Sequence, residues 1–170
     1  LRFPPVYGCN SFELADFNSD GFSDLLLTNG DNGDYSIILK PYHAVRIFLN
    51  DGKNNLTEAW SFPMPGASQA TAHDFVNDGD LDIAAISFFP NFKNHPEQSF
   101  IYFENKGKEN FKASTFPQAG EGRWLVMETG DIDGDGDTDI LLGGANFKGF
   151  GGELGNFTHK DKALMILDNV

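Results

Sequence analysis

One nine-residue pattern occurs three times in this chain, and nothing else in it limits the fold so strongly. The copies are Asp16-Phe17-Asn18-Ser19-Asp20-Gly21-Phe22-Ser23-Asp24, Asp74-Phe75-Val76-Asn77-Asp78-Gly79-Asp80-Leu81-Asp82 and Asp131-Ile132-Asp133-Gly134-Asp135-Gly136-Asp137-Thr138-Asp139. They begin at residues 16, 74 and 131, so the period is 58 and then 57 residues. A nearly constant period of this order marks stacked supersecondary units, each too small to bury its apolar face alone.

The likeness runs beyond the loops. Each copy enters an apolar run: Leu25-Leu26-Leu27, Ile83-Ala84-Ala85-Ile86 and Ile140-Leu141-Leu142. A second run follows at Ile47-Phe48-Leu49, Ile101-Tyr102-Phe103 and Met165-Ile166-Leu167, and each of these meets an Asn/Asp turn. A Phe-Pro pair recurs at Phe3-Pro4, Phe62-Pro63 and Phe116-Pro117. Short apolar runs bounded by Asn, Asp and Gly read as strands. No window carries a sustained 3.6-residue apolar period, so almost no helix is expected. Each unit should hold four antiparallel strands. One precedes the loop (12–15, 69–73, 124–130), one follows it, one is the later apolar run, and one ends near Phe-Pro. The units span roughly 12–63, 69–117 and 124–170 of a single domain. Four antiparallel strands per unit describe a β-propeller blade, so the expected fold class is all-β with about three blades. In this register the chain starts late in a fourth strand and stops before another. We therefore expect part of a larger ring of six to eight blades, completed by a longer protein or by self-association.

The 25 acidic residues outnumber the 12 basic ones, for a net charge of −13. Phosphate binding needs a basic face, so a nucleic-acid partner is excluded. No stretch approaches the ~18 consecutive apolar residues of a membrane span. The single cysteine, Cys9, leaves no intrachain disulfide, no Cys zinc site and no haem-attachment motif.

The aspartates are bunched into the three loops, which is costly unless a cation sits among them. Oxygen side chains at loop positions 1, 3, 5 and 9, with Gly at position 6 and a carbonyl at position 7, suit calcium, which takes six to eight oxygen ligands. Magnesium would keep more water, and softer metals would want Cys or His. An EF-hand is excluded because its position-12 Glu is replaced by Leu27, Ala85 or Leu142, and the flanks read as strands.

The Asp-x-Asp/Asn-x-Asp-Gly-x-x-Asp loop ahead of an apolar strand resembles the FG-GAP or VCBS-type repeat. That family includes the propellers of integrin α subunits, fungal propeller lectins and many bacterial surface and secreted proteins. The resemblance covers essentially the whole chain. It implies calcium bound between the first two strands of a blade, by Asp16, Asn18, Asp20 and Asp24 and by Asp131, Asp133, Asp135 and Asp139, with position-7 carbonyls from Phe22 and Asp137. The middle loop departs at Val76, leaving Asp74, Asp78, Asp82 and the Asp80 carbonyl, so its affinity should be lower.

No nucleophile elbow or phosphate loop occurs, and His43, His73, His95 and His159 share no triad or metal spacing, so each is expected at the surface or beside a site. Trp60 and Trp124 fall in predicted strands, as core residues or as sugar platforms. Asn55-Leu56-Thr57 and Asn156-Phe157-Thr158 match the glycosylation pattern. The connections at 29–43, 90–98 and 143–160 should lie on the face opposite the acidic loops, beside 5–10, 64–68 and 118–123. Irregular loops on a rigid scaffold are where binding usually sits. The expected function is a non-enzymatic, calcium-binding module for binding or adhesion, with a protein or carbohydrate ligand on that opposite face. The alternative is a lectin-like propeller or a non-catalytic domain of a carbohydrate-processing enzyme. Calcium supply and the resemblance point to an extracellular, cell-surface or periplasmic setting.

Overall fold

The computed structural model describes residues 2–31, 38–108, 110–144 and 163–169. Among the described residues, eleven strands form three antiparallel sheets of four, four and three strands, each laid down in chain order. The first sheet holds β1 (Ser11–Ala15), β2 (Asp24–Asn29), β3 (Ala44–Asn50) and β4 (Leu56–Pro63). The second holds β5 (Ala67–His73), β6 (Asp82–Ser87), β7 (Phe100–Asn105) and β8 (Phe111–Ser114). The third holds β9 (Trp124–Gly130), β10 (Asp139–Gly144) and β11 (Leu164–Leu167). The only helical pieces among the described residues are single 3-10 turns at Pro5–Tyr7, Pro96–Ser99 and Ala119–Glu121. The all-β expectation and the strand order within each unit agree with this.

One strand differs from its expected end. β8 stops at Ser114, before Phe116-Pro117. Pro117 has no N–H for a ladder. The Thr115 hydroxyl instead donates to the Phe100 carbonyl at 2.7 Å, and the Phe116 ring packs on Phe100 at 5.3 Å.

The middle sheet is sandwiched, and β6 shows how. Successive strand residues point to opposite faces. Ile83 and Ala85 enter the core shared with the first sheet, beside Leu26, Val45, Ile47 and Phe103. Ala84 and Ile86 enter the core shared with the third sheet, beside Trp124, Met127, Ile140 and Leu142. A continuous apolar run is therefore what a strand buried on both faces requires. Trp124 is fully buried, and half-buried Trp60 packs against Phe103 and Phe111 at 5.1 and 4.7 Å. Both tryptophans are core residues, and neither offers an open sugar platform.

The strands that begin each sheet lie along sheet edges, where backbone groups lack a ladder partner. Neighbouring side chains supply one. The Ala70 N–H of β5 donates to Ser11 Oγ of β1 at 3.3 Å, and the Ala72 N–H donates to the Glu13 carboxylate at 3.3 Å. Gln69 of β5 does the same for β9 in both senses. Its Oε1 accepts from the Met127 N–H at 2.9 Å, and its Nε2 donates to the Met127 carbonyl at 2.8 Å. Side chains thus satisfy edge groups that would otherwise be templates for foreign strands.

The connections on the face away from the acidic loops are stapled together. His43 is buried, not at the surface, and its Nδ1 accepts from the Gly66 N–H at 3.0 Å, joining the β2–β3 and β4–β5 connections. The Phe88 N–H donates to the Gly66 carbonyl at 3.3 Å. Gly30 is needed here, since a Cβ on it would stand 2.0 Å from the Ala67 carbonyl oxygen. Buried Arg123 stacks over the Phe92 ring at 4.1 Å, with Phe88 and Phe89 at 5.7 and 6.0 Å. Burial pulls its guanidinium pKa down to about 10, which leaves it charged at neutral pH. Most of the connection expected at 143–160, together with His159 and the Asn156 sequon, lies outside the described residues. At the other sequon the Asn55 side-chain amide donates to Asp51 at 2.7 Å.

Replacing Gln69 with Leu keeps the apolar stem and removes both bonds to Met127. It should lower stability by about 1–3 kcal/mol in chemical denaturation, because two backbone groups lose their partners. An unchanged midpoint would mean that the edge bonding contributes nothing.

Candidate metal centre

The three acidic loops fold to one plan. Each joins the first two strands of its sheet, and each carries two left-handed residues. These are Ser19 and Gly21, Asn77 and Gly79, and Gly134 and Gly136, at loop positions 4 and 6. Position 6 is glycine each time, at φ of 87°, 94° and 100°, values that other residues adopt only with strain. The double reversal turns backbone N–H groups inward onto the carboxylates.

The hydrogen bonds repeat in turn. The position-1 carboxylate accepts from the position-6 N–H: Gly21 to Asp16 at 2.8 Å, Gly79 to Asp74 at 2.9 Å, Gly136 to Asp131 at 3.1 Å. The position-5 carboxylate accepts from the position-7 N–H: Phe22 to Asp20 at 2.9 Å, Asp80 to Asp78 at 3.0 Å, Asp137 to Asp135 at 2.9 Å. At position 3, Asn18 and Asp133 each accept from the position-5 N–H at 3.1 Å. Val76 has no oxygen for this role and stands 45% exposed.

Position 9 differs from the others in being buried. Asp24, Asp82 and Asp139 are each within 1% of complete burial. Each accepts from the position-2 N–H: Phe17 at 2.9 Å, Phe75 at 3.3 Å, Ile132 at 2.8 Å. Each also accepts from the N–H of an asparagine at the end of the third strand of its sheet or two residues beyond it: Asn50, the last residue of β3, at 2.8 Å, Asn105, the last of β7, at 2.8 Å, and Asn169, two residues past β11, at 2.9 Å. From the sequence these asparagines read only as residues of the Asn/Asp turn after the later apolar run. The available signal was an Asn closing the later apolar run in all three units. Tyr102 was missed as well. Its hydroxyl donates to Asp82 at 2.6 Å, giving the middle loop a third donor on that carboxylate.

The surroundings push two of the buried carboxylates in opposite directions. Burial pushes Asp82 above the ordinary carboxylate range, against the opposing bonds from Tyr102, Asn105 and Phe75. The amides of Asn169 and Ile132 hold Asp139 below it. Asp133 feels crowding. The Asp135 N–H pulls it down, but desolvation and the charges of Asp135, Asp168 and Asp139 together push it up. That is the signature of carboxylates gathered more closely than their charges favour.

The gathering is tightest in the third loop. One carboxylate oxygen each from Asp131, Asp133 and Asp139 lie within 4.8 Å of one another, a group able to hold a metal ion. Among the described residues no other set of three His, Cys, Asp or Glu side chains meets that condition. The reason lies at position 3, which is Asp133 here but Asn18 in the first loop and Val76 in the second. Asp135 lies outside the group. An all-oxygen donor set fits a hard cation rather than a soft one.

A model of the FG-GAP-like repeat matches residues 16–85 and again 74–142. Each match starts at the position-1 aspartate of one loop and runs past the next. Comparison with curated proteins gives no match. The two matches together span 16–142, most of the chain, and the loop-and-strand unit they mark is the one the sheets are built from; the chain belongs to the FG-GAP-like repeat family.

Proposed function

We propose that this chain is a calcium-stabilised, β-propeller-type binding module that acts outside the cytoplasm and is not itself a catalyst. The observation that carries the reading is the threefold carboxylate scaffold, which in the third loop brings Asp131, Asp133 and Asp139 within 4.8 Å of one another. Calcium suits it better than magnesium because the donors are many, oxygen-only and set on an irregular loop. In the third loop Asp131, Asp133, Asp139 and the Asp137 carbonyl would hold the ion, with Asp135 alongside. In the first loop Asp16, Asn18, Asp20, Asp24 and the Phe22 carbonyl would do so. The middle loop would bind weakly through Asp74, Asp78, Asp82 and the Asp80 carbonyl, since Val76 offers nothing and Asp82 already accepts from three donors. When bound, the ion supplies charge neutralisation and loop rigidity.

The extracellular setting follows from calcium supply, because loops of this kind fill readily where calcium is near millimolar. No helix is long and apolar enough to cross a membrane among the described residues. The ligand surface we assign is the face opposite the acidic loops, where His43, Gly66, Arg123 and the Phe88–Phe92 cluster hold irregular connections on a rigid base. Trp124 is buried and Trp60 is half-buried against Phe103 and Phe111, so neither supports the lectin reading and a protein ligand is the preferred one.

Further sheets of the same kind belong at both ends of the stack. Position-2 side chains mark the joints. Phe17 is buried against the second sheet and Phe75 against the third, each 5% exposed, whereas Ile132 is 47% exposed. Val126, Leu164 and Ile166 share the open end, and Phe12 and Leu14 are exposed on the outer face of the first sheet. Those faces fit further blades, from a longer protein or from other copies.

A ligand that binds only the folded state adds RT ln(1 + [L]/Kd), about 2.7 kcal/mol per site at a hundredfold excess. Chelation should therefore lower the melting temperature clearly, with calcium restoring it and magnesium restoring it poorly. An identical melting curve in EDTA, with metal analysis showing no calcium retained, would refute the cation reading. Light scattering on the 170-residue chain tests the open ends. We expect association at micromolar concentration; a stable monomer would mean that three sheets suffice to bury their own faces.

A further inference from the structure

We propose that the second and third acidic loops work as one coupled unit, because Asn77, Thr138 and Asn169 lace them together by hydrogen bonds, so that a cation held in the third loop is felt at the second. This rests on the reading of the loops as cation sites.

The plan common to the three loops breaks at one junction. Asn50 and Asn105 turn their side-chain amides back onto position 8 of their own loops, donating to the Ser23 carbonyl at 3.0 Å and the Leu81 carbonyl at 3.2 Å. Asn169 does not. Its backbone N–H holds Asp139, but its side chain crosses to the second loop and donates to the Phe75 carbonyl at 2.7 Å. Two more bonds join the same pair of loops. Asn77 Nδ2 donates to Asp137 Oδ1 at 3.0 Å, and Thr138 Oγ1 and His73 Nε2 hydrogen-bond at 2.8 Å. The lacing therefore touches positions 7 and 8 of the third loop and the residue that fixes its position 9. On the other side it touches positions 2 and 4 of the second loop and the residue before its position 1. Among the described residues, the first and second loops share no such bond.

The direction of the effect follows from the charges. Asp131, Asp133 and Asp139 repel one another until a cation sits between them, so filling the third loop draws in and stiffens residues 131–139. The Asp137 side chain is held by Asn77, which steers that residue's backbone relative to the ion. The second loop, short of an oxygen at Val76, gains order from a neighbour that is itself ordered by the ion. Linkage makes the effect reciprocal: breaking the lacing weakens the third loop's hold on its cation. Asn77, Thr138 and Asn169 are positioning residues in this scheme, since their side chains bond across the two loops.

Calcium chloride titration of the full chain, followed through its backbone amide NMR signals, tests this. The Asp78→Ala variant is used so that the second loop's own binding is disabled. Calcium should move the signals of residues 131–139 and, with the same midpoint, those of Asp74 and Phe75. Adding Asn77→Gly and Thr138→Val, which tolerate the backbone and volume at those sites, should reduce the movement at Asp74 and Phe75 to what the remaining Asn169 bond to Phe75 carries. It should also weaken third-loop affinity roughly threefold to tenfold, the scale of losing one or two exposed hydrogen bonds. Movement confined to 131–139 in the Asp78→Ala background would overturn the coupling and leave the cation reading standing, as would an unchanged response in the triple variant. Absence of any calcium response at 131–139 would overturn the cation reading and the coupling with it.

Discussion

The structure depends on a buried aspartate used three times. Asp24, Asp82 and Asp139 each open the second strand of a sheet, and each takes two backbone N–H groups from elements far apart in sequence. One N–H comes from the start of the acidic loop and the other from an asparagine at the far end of the third strand. A buried carboxylate is tolerated only when it is well bonded, and here the bonding is what closes each sheet's end. The loop cannot drift from the strands it joins without leaving a buried charge short of donors. The remaining carboxylates are thereby held in one small volume. The crowding that pushes Asp133 up follows from that anchoring.

From the anchored ends inward, each sheet is an ordinary meander, and the fold arises from how the sheets meet. The middle strand β6 sends alternate residues into two separate cores, with small Ala84 and Ala85 at its centre. The edge strands β1, β5 and β9 meet through Ser11, Glu13 and Gln69, whose side chains serve their neighbours' backbones. Position-2 residues Phe17 and Phe75 lock loop to next sheet. Ile132, in the same place, meets solvent. The acidic face and the stapled opposite face are therefore two ends of one stack, with the carboxylates gathered on the first and irregular connections displayed on the second.

Much of this was legible in the sequence because its cause is local. The glycine at position 6 follows from a left-handed turn, and the apolar run after each loop follows from a strand covered on both sides. The Val76 gap was readable from one missing oxygen. What escaped notice depends on neighbours the sequence does not place. Tyr102 reaches Asp82 across the pairing of β6 with β7, where the first sheet has Ile47 and the third Ile166. Asn169 crosses to the second loop while Asn50 and Asn105 do not, although all three follow the later apolar run of their unit. His43 reads as a surface residue until the turn at Gly66 folds over it. Strand β8 ends early for a reason visible afterwards in Pro117 and Thr115.

The most direct measurement is an anomalous difference map from crystals of this chain grown in calcium and measured at a wavelength where calcium scatters anomalously. The account predicts a strong peak among Asp131, Asp133 and Asp139, a second among Asp16, Asn18, Asp20 and Asp24, and a weaker or absent one beside Val76. A map with no peak in the third loop, or with calcium only on carboxylates outside the three loops, would contradict it.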